Sequence, residues 1–267
     1  SNISSYSNWL SALNLNTVTN TPDGKAEQRV NFLRGNKDDI LRERKLLANS
    51  KPNVLGDIVN SSLVRVNGAI YRASAADKLE GTSGTNSYKT FAASLESAPE
   101  MLYVGANDGM LHAFKADDGS ETFAFIPSSL RNTISDLTTP KYGATGKAHR
   151  YFVDGTSVVS DVYFDGAWRK ILVGSLGAGG KQIFALDITS PTTPKLLWEF
   201  SSDDSNKLGY TMAQPSIARL NDNGAVKGKW VVILPNGYQG LNSASGEASL
   251  YVLDISNGSI IKRFDVA

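Results

Sequence analysis

From about residue 55 onward, the pattern of apolar and polar residues is that of short β-strands. Runs rich in Val, Ile, Phe and Tyr are separated by Asn-Gly, Asp-Gly and Gly-Gly turns, the local chemistry typical of strands joined by tight hairpins. The runs fall into three similar units of four predicted strands each. The predicted strands are 63–66, 101–105, 110–114 and 122–126; 158–164, 170–174, 182–188 and 195–200; and 215–220, 230–234, 249–255 and 259–264.

The third strand of each unit is the most repetitive element of the sequence. Leu111-His112-Ala113-Phe114, Ile183-Phe184-Ala185-Leu186 and Leu250-Tyr251-Val252-Leu253 align, and each is followed by a turn and a strand ending in Phe. The repeat length is about 70 residues, longer than the roughly 40 to 50 residues of compact propeller repeats. The excess lies in loops such as 73–97 and 131–147, where we expect recognition surfaces.

Four-stranded repeats of this kind predict an all-β fold, a partial β-propeller with about three antiparallel blades. We place the blades at about residues 55–130, 150–203 and 211–267 of an incomplete propeller spanning 55–267. Three blades are too few to close a ring, since propellers typically have about 4 to 8. A β-sandwich with coincidental similarity between its strands is the alternative fold.

Helical spacing is confined to a lead-in over residues 1–54. Apolar residues recur at helical spacing in 26–33 and 38–47, with Gly35 between the two runs and Asp38 as a plausible N-cap. The pattern predicts one broken helix.

Composition narrows the range of partners and compartments. The 27 basic and 26 acidic residues give a net charge of +1, so the basic stripe of a nucleic-acid-binding surface is missing. No run approaches the length of a membrane span, and the first residues lack a signal-peptide pattern. The absence of cysteine excludes disulfides and thiolate chemistry, but it does not fix the compartment.

Candidate sites of chemistry are better explained as structure. The glycine-rich segment 173–181 has Ser175 where a phosphate-binding loop requires Gly, and Gln182 where it requires Ser or Thr. We therefore interpret it as a tight turn between strands. Neither His112 nor His149 has a serine or an acid at the spacing of a known triad motif, and we interpret both as structural.

Acidic turns are the remaining candidates. Asn221-Asp222-Asn223-Gly224 offers oxygen ligands, but Val232 stands where the closing Glu of a calcium loop would be. An Asn-rich hairpin turn explains it, and Asp117-Asp118 and Asp203-Asp204 are turn-like too. We assign no catalytic, cofactor-binding or metal-ligating residue in this chain.

Ala113, Gly119 and Phe123 of the first repeat, and Asp254 and Gly258 of the third, resemble part of the docking motif of quinoprotein propellers, Ala-x-Asp-x-x-Thr-Gly-x-x-x-Trp. The second repeat keeps Ala185 and Asp187 but has no glycine in place.

A sharper resemblance is carried by segments 30–35, 55–62, 103–114, 184–189, 198–200 and 208–211. In this order they resemble the propeller domain of the PilC/PilY family of type IV pilus assembly proteins, from about residue 28 to the C-terminus.

The resemblance implies a non-enzymatic module of a pilus biogenesis protein and adhesin, exported to the bacterial surface, outer membrane or pilus tip. It implies a role in pilus extension against retraction, in twitching motility and in attachment to host cells, with pilin or minor pilins as partners. Family members can carry a calcium loop of the form Asp-x-Asn-x-Asp in a later blade. No segment here matches that loop, so calcium remains an expectation for the complete family domain alone.

Two other functions remain open at this point. A quinone-dependent dehydrogenase would share the propeller motif but needs a closed propeller with a calcium-bound cofactor. A carbohydrate-binding propeller would present exposed Tyr or Trp to a glycan.

Overall fold

The computed structural model describes residues 3–16, 18–38, 41–44, 53–144, 147–205, 207–221, 228–239 and 248–266. Three four-stranded antiparallel sheets dominate it, and in each sheet the spatial order of the strands follows their order in the chain. The first sheet contains β1 (Val64–Val66), β2 (Met101–Gly105), β3 (Leu111–Lys115) and β4 (Glu121–Phe125); the second β5 (Val158–Phe164), β6 (Ala167–Ser175), β7 (Gln182–Asp187) and β8 (Lys195–Ser201); the third β9 (Ser216–Arg219), β10 (Trp230–Pro235), β11 (Ala248–Asp254) and β12 (Ile260–Val266).

The predicted strands are confirmed, and so is the hairpin between β5 and β6. Asp165 and Gly166 join β5 to β6 with positive φ angles of 49° and 73°, as a two-residue hairpin requires. Each pair of neighbouring strands within a sheet is antiparallel, from β1 with β2 to β11 with β12. The segment 176–181 between β6 and β7 contains a single 3-10 turn, Gly177–Gly179, so the glycine-rich segment is the tight inter-strand turn that we predicted.

The second sheet is buried on both of its faces. Leu172, Phe184 and Leu186 pack with the first sheet. The residues that alternate with them along β6 and β7, such as Ile171 and Ile183, pack with the third sheet. Successive side chains of a strand point to opposite faces, so this division places the second sheet between the other two. The three sheets therefore lie face to face.

Trp198 fastens the second sheet to the third. Its indole Nε1 donates a hydrogen bond to the carbonyl oxygen of Ile255, 2.8 Å away. A Cβ atom built on Gly258, where φ is +74°, would lie 2.8 Å from the same ring. Gly258 is one of the docking-motif residues noted in the sequence, and the ring seated against it explains the need for glycine there. Between the first two sheets, Phe125 and Phe184 make the aromatic contact, with ring centroids 4.9 Å apart.

The segment 73–97, expected as a polar loop, contains two helices, α3 (Ala73–Glu80) and α4 (Tyr88–Leu95). The prediction that helices are confined to the lead-in was therefore wrong. Tyr88, Phe91 and Leu95 are buried against the second sheet, and Glu80 pairs with Arg219 of β9 at 2.7 Å. The insertion from the first blade thus packs across the next two blades, and Tyr88, Phe91 and Leu95 are not available for recognition.

The lead-in differs from the prediction in part. Helix α2 (Ala26–Leu33) is confirmed, and a further helix, α1 (Ile3–Leu13), precedes it. The predicted helix over 38–47 is wrong for residues 41–44, which have no helical structure, and its other members 39–40 and 45–47 lie outside the described residues. The backbone N–H of Arg42 donates instead to the carbonyl of Thr138. None of the described helices is long and apolar enough to span a membrane.

The second long loop also folds onto the core. Two 3-10 helices, Ser128–Asn132 and Ile134–Thr138, occupy it. Leu130, Ile134 and Leu137 are buried with residues of the first sheet and of α1. This loop therefore contributes packing between the lead-in and the first blade.

Candidate functional site

Two of the segments that resemble the pilus family meet at one end of the first blade. We call residues 56–62 the strap; it lies against the turn between β2 and β3. The N–H of Gly56 donates to Asp108 Oδ2 at 2.8 Å, Asn107 Nδ2 donates to Asp57 Oδ2 at 3.0 Å, and the N–H of Gly105 donates to Ser61 Oγ at 2.9 Å. A Cβ atom at Gly56 would lie 2.3 Å from the backbone nitrogen of Asp108, so the close approach requires glycine.

The strap also holds the segment that leads into the second blade. Both oxygens of the buried Asp154 accept hydrogen bonds from Asn60, from its backbone N–H at 3.1 Å and from its side-chain Nδ2 at 2.6 Å. The N–H of Ser62 donates to Thr156 Oγ1 at 2.9 Å. Polar side chains therefore replace strand pairing here and join the first two blades.

A chain of paired acids and histidines runs from the strap along the first sheet. His149 Nε2 lies 3.0 Å from Asp57 Oδ1. The imidazole of His112, on β3, lies between two carboxylates: Nε2 is 3.0 Å from both oxygens of Asp108, and Nδ1 is 2.5 Å from Glu121 Oε1. We call these five residues the acid-histidine cluster.

The charges in this cluster stabilise one another. Burial alone would lower the pKa of His112, but the carboxylates of Asp108 and Glu121 outweigh it, so its pKa is raised above the ordinary value of 6.5. For Asp57, burial raises the pKa, but the hydrogen bonds from Asn107 and His149 lower it by a larger amount, so the pKa lies below its ordinary value. The cluster therefore favours the protonated form of His112.

Two cavities adjoin the cluster, and Asp108 lines both. The first, which we call the apolar cavity, has a volume of about 470 Å³ and lies between α1, α2 and the outer strands of the first sheet; Trp9, Leu33, Met110 and Phe114 are among its walls. The second, which we call the polar cavity, has a volume of about 500 Å³ and is lined by residues that include Arg42, Arg44, Asp57, Asn107 and Tyr142. Both volumes are in the range of small-ligand sites.

The geometry of the acid-histidine cluster and its cavities favours ligand binding over general acid-base catalysis. A general base needs a free imidazole nitrogen facing the substrate, and both nitrogens of His112 face carboxylates. Within the part of the chain that the structure describes, no three acidic or histidine side chains are arranged as metal ligands.

The sequence predicted structural roles for His112 and His149, and the structure gives both of them carboxylate partners. It did not predict that Asp57, Asp108 and Glu121 would be those partners. The local signal that could have indicated one of these pairs was the spacing of Asp108 and His112, which are four residues apart across a turn. The turn roles of Asp118 and Asp204 are confirmed, since they accept hydrogen bonds from the backbone N–H groups of Ser120 and Ser201. Residues 222–224 of the Asn-rich turn lie outside the described residues.

A second buried polar group was also missed. Asp161 on β5 is fully buried, and its Oδ1 lies 2.5 Å from Lys170 Nζ on β6. Its other oxygen accepts hydrogen bonds from Tyr88 Oη at 2.5 Å and from the N–H of Ile70 at 2.8 Å. This group fixes the α3–α4 insertion to the second blade.

Repeated four-stranded meanders packed face to face, with polar segments joining successive blades, define a β-propeller module. The model of the PilY1 beta-propeller domain family matches residues 55–267. The chain belongs to this family, which confirms the resemblance seen in the sequence and the partial β-propeller of four-stranded antiparallel blades.

Named relatives agree with this assignment. The chain is 43% identical over 248 residues to "Type IV pilus biogenesis factor PilY1" of Pseudomonas aeruginosa strain UCBPP-PA14. The aligned region covers 92% of this chain and 20% of that protein. The chain is 39% identical over 249 residues to a PilY1 homolog of Xylella fastidiosa, covering 89% of this chain and 16% of that protein. The chain thus spans about a fifth of the length of these relatives.

A solved structure is also similar. The crystal structure of the Pseudomonas aeruginosa PilY1 C-terminal domain superposes with a TM-score of 0.62 at 41% sequence identity, over 76% of this chain and 37% of that one.

Proposed function

We propose that this chain is a non-enzymatic propeller module of a type IV pilus biogenesis factor and pilus-associated adhesin, which supports pilus assembly against retraction and attachment to host cells or surfaces. The observation that carries the proposal is 43% identity, over 92% of the chain, to a protein named as a type IV pilus biogenesis factor. Identity of this extent implies a shared fold and shared surface segments. The partners would be pilin or minor pilins and other pilus machinery, at the cell surface, outer membrane or pilus tip.

The contacts that the α3–α4 insertion and the strap make with neighbouring blades support an assembly role through the scaffold itself. The α3–α4 insertion joins all three blades through Glu80, Tyr88 and their partners, and the strap joins the first two. A module cross-connected in this way resists separation of its blades, which suits a protein that acts against a retracting fibre.

The non-enzymatic part of the proposal has a direct test. The saturated environment of His112 supports it, since neither imidazole nitrogen is available to a substrate. We expect no dye reduction when the purified chain is mixed with a quinone cofactor, calcium and alcohols. A bound chromophore with turnover would favour the dehydrogenase alternative instead.

The pilus role is tested in a bacterium that carries the parent gene. Deleting the coding segment for residues 55–267 is expected to reduce surface pili in a strain with normal retraction and to leave them in a strain whose retraction motor is disabled. Pili are counted by electron microscopy, and twitching is measured on agar. Undiminished piliation, twitching and adherence would contradict the proposal.

A chimera provides the matched control. Replacing the segment by its counterpart from the Pseudomonas aeruginosa relative keeps the fold while changing more than half of the residues, and we expect it to restore pili. The level of the parent protein at the surface is measured by immunoblotting in each strain. Adherence is compared in the retraction-deficient background, where pilus number no longer differs, so that attachment is scored separately from assembly.

A further inference from the structure

The polar cavity has two arginines of one short segment on its wall. Residues 41–44 are anchored at their start: the N–H of Leu41 donates to Asp38 Oδ1 at 3.2 Å, and the N–H of Arg42 donates to the carbonyl of Thr138 at 3.0 Å. Arg42 and Arg44 both line the cavity. The backbone therefore presents two guanidinium groups to the same space.

Aromatic rings fix the planes of these two groups. The guanidinium carbon of Arg44 lies 3.7 Å from the ring centre of Phe32, and that of Arg42 lies 5.1 Å from the ring centre of Tyr142. Guanidinium groups stacked on rings keep their edge N–H donors directed to the side. The pair is thus oriented before any ligand arrives.

Both arginines carry buried donors without a partner. Arg42 Nε and Arg44 Nη1 are inaccessible to solvent and have no hydrogen-bond partner within the part of the chain that the structure describes. Burial, followed by repulsion from Arg42, lowers the pKa of Arg44 to about 10, although Asp108 acts in the opposite direction. Because these two nitrogens are inaccessible, a ligand in the cavity would meet the other N–H groups of the two guanidinium groups.

The acids that line the cavity already have hydrogen-bond partners or face solvent. Asp57 is occupied by Asn107 and His149, Asp108 by His112 and Gly56, and Glu43 is exposed to solvent. Their negative charges still act across the cavity. They disfavour a doubly charged phosphate more than a singly charged carboxylate, because repulsion grows with the charge of the ligand.

We propose that the polar cavity is a binding site for a small organic carboxylate, whose two oxygens accept hydrogen bonds from Arg42 and Arg44. Paired guanidinium donors match the planar, bidentate geometry of a carboxylate. The volume of about 500 Å³ leaves room for the organic part of the ligand beside Leu33, Val54 and Leu137. This site is independent of the pilus role.

The test is a titration of the 267-residue chain with acetate, benzoate and inorganic phosphate, followed by the NMR signals of the arginine side-chain Nε–H groups. We expect saturable shifts of the Arg42 and Arg44 signals with both carboxylates, tighter binding of benzoate than of acetate, and weaker binding of phosphate. No saturable shift, or tighter binding of phosphate than of either carboxylate, would overturn the proposal.

Three variants locate the site. Arg44→Gln and Arg42→Gln are each expected to weaken benzoate binding by roughly tenfold or more, the loss typical of one charge-assisted hydrogen bond. Arg34→Gln is the control, because Arg34 is exposed and lines the apolar cavity instead. This variant should bind benzoate with unchanged affinity. The backbone amide spectrum reports whether each variant is folded. Unchanged affinity in both cavity variants, or equal loss in the control, rejects the site.

Discussion

Replacing Lys170 by methionine isolates the energy of the buried ion pair at the centre of the second blade. Asp161 and Lys170 are direct cross-strand partners on β5 and β6, with side chains only 0% and 4% exposed. Methionine keeps most of the apolar stem of lysine and removes the charge. The carboxylate of Asp161 would then remain buried with only Tyr88 and Ile70 as donors.

The expected loss of unfolding free energy is about 3–5 kcal/mol, the usual result of leaving one charge of a buried pair without its partner. Replacing both residues, as Asp161→Leu with Lys170→Met, removes that charge as well. The hydroxyl of Tyr88 loses its acceptor in the double variant, which costs about 1–3 kcal/mol. The N–H of Ile70 keeps an acceptor, the hydroxyl oxygen of Tyr88 at 2.9 Å. The double variant should therefore be more stable than the single one.

Urea unfolding of the purified chain, followed by tryptophan fluorescence, measures these differences. Arg65→Met is the matched control, because Arg65 pairs with Glu100 in a solvent-exposed setting, where ion pairs contribute little. If Lys170→Met lowers the urea midpoint of unfolding no more than Arg65→Met does, then burial does not increase the contribution of the Asp161–Lys170 pair to stability. A double variant less stable than Lys170→Met would refute the reasoning in the same way.

Two further predictions concern the blade contact and the acid-histidine cluster. Gly258→Ala should lower the unfolding free energy by roughly 1–3 kcal/mol more than Gly119→Ala does. The two glycines have nearly equal φ angles of 74° and 70°, but only Gly258 faces a ring, that of Trp198. Equal losses of stability in urea unfolding would contradict this. His112 has a raised pKa, so its stabilisation is complete below the unfolded-state pKa of about 6.5 and is lost as pH rises through the folded-state value. His112→Asn should flatten the decline of stability across that window, and a wild-type stability that does not fall there would count against the pairing.

Local sequence chemistry was enough to find the strands. All twelve predicted strands are present, and β5 spans Val158–Phe164, as the pattern predicted. Alternating apolar residues and turn pairs such as Asp165-Gly166 act within a few residues, so they can be read without knowing the fold. The repetition of the third strand then indicated stacked blades, because each unit has apolar residues that it cannot bury alone.

Some helical signals were present in the sequence but were outweighed by polar composition. Ser87 caps α4 by accepting a hydrogen bond from the N–H of Thr90, and Tyr88, Phe91 and Leu95 have helical spacing. Gly81 ends α3 in the left-handed conformation, with φ at 65°. These are ordinary start and stop signals, and they could have identified the two helices. Nothing local, however, indicated that the helices would pack on the second and third blades.

The sequence by itself therefore determined the strands, the repeat and the family of this protein. Tertiary structure alone decided which polar side chains meet: Asp57 contacts His149 across 92 residues of chain, and Glu80 contacts Arg219 across 139. It also decided that residues 41–44 bond to the neighbouring loop and do not continue as a helix. The physical reason is that hydrophobic periodicity reports which face of an element is buried, whereas a polar partner is selected by the packing of distant elements and leaves no periodic trace in the sequence.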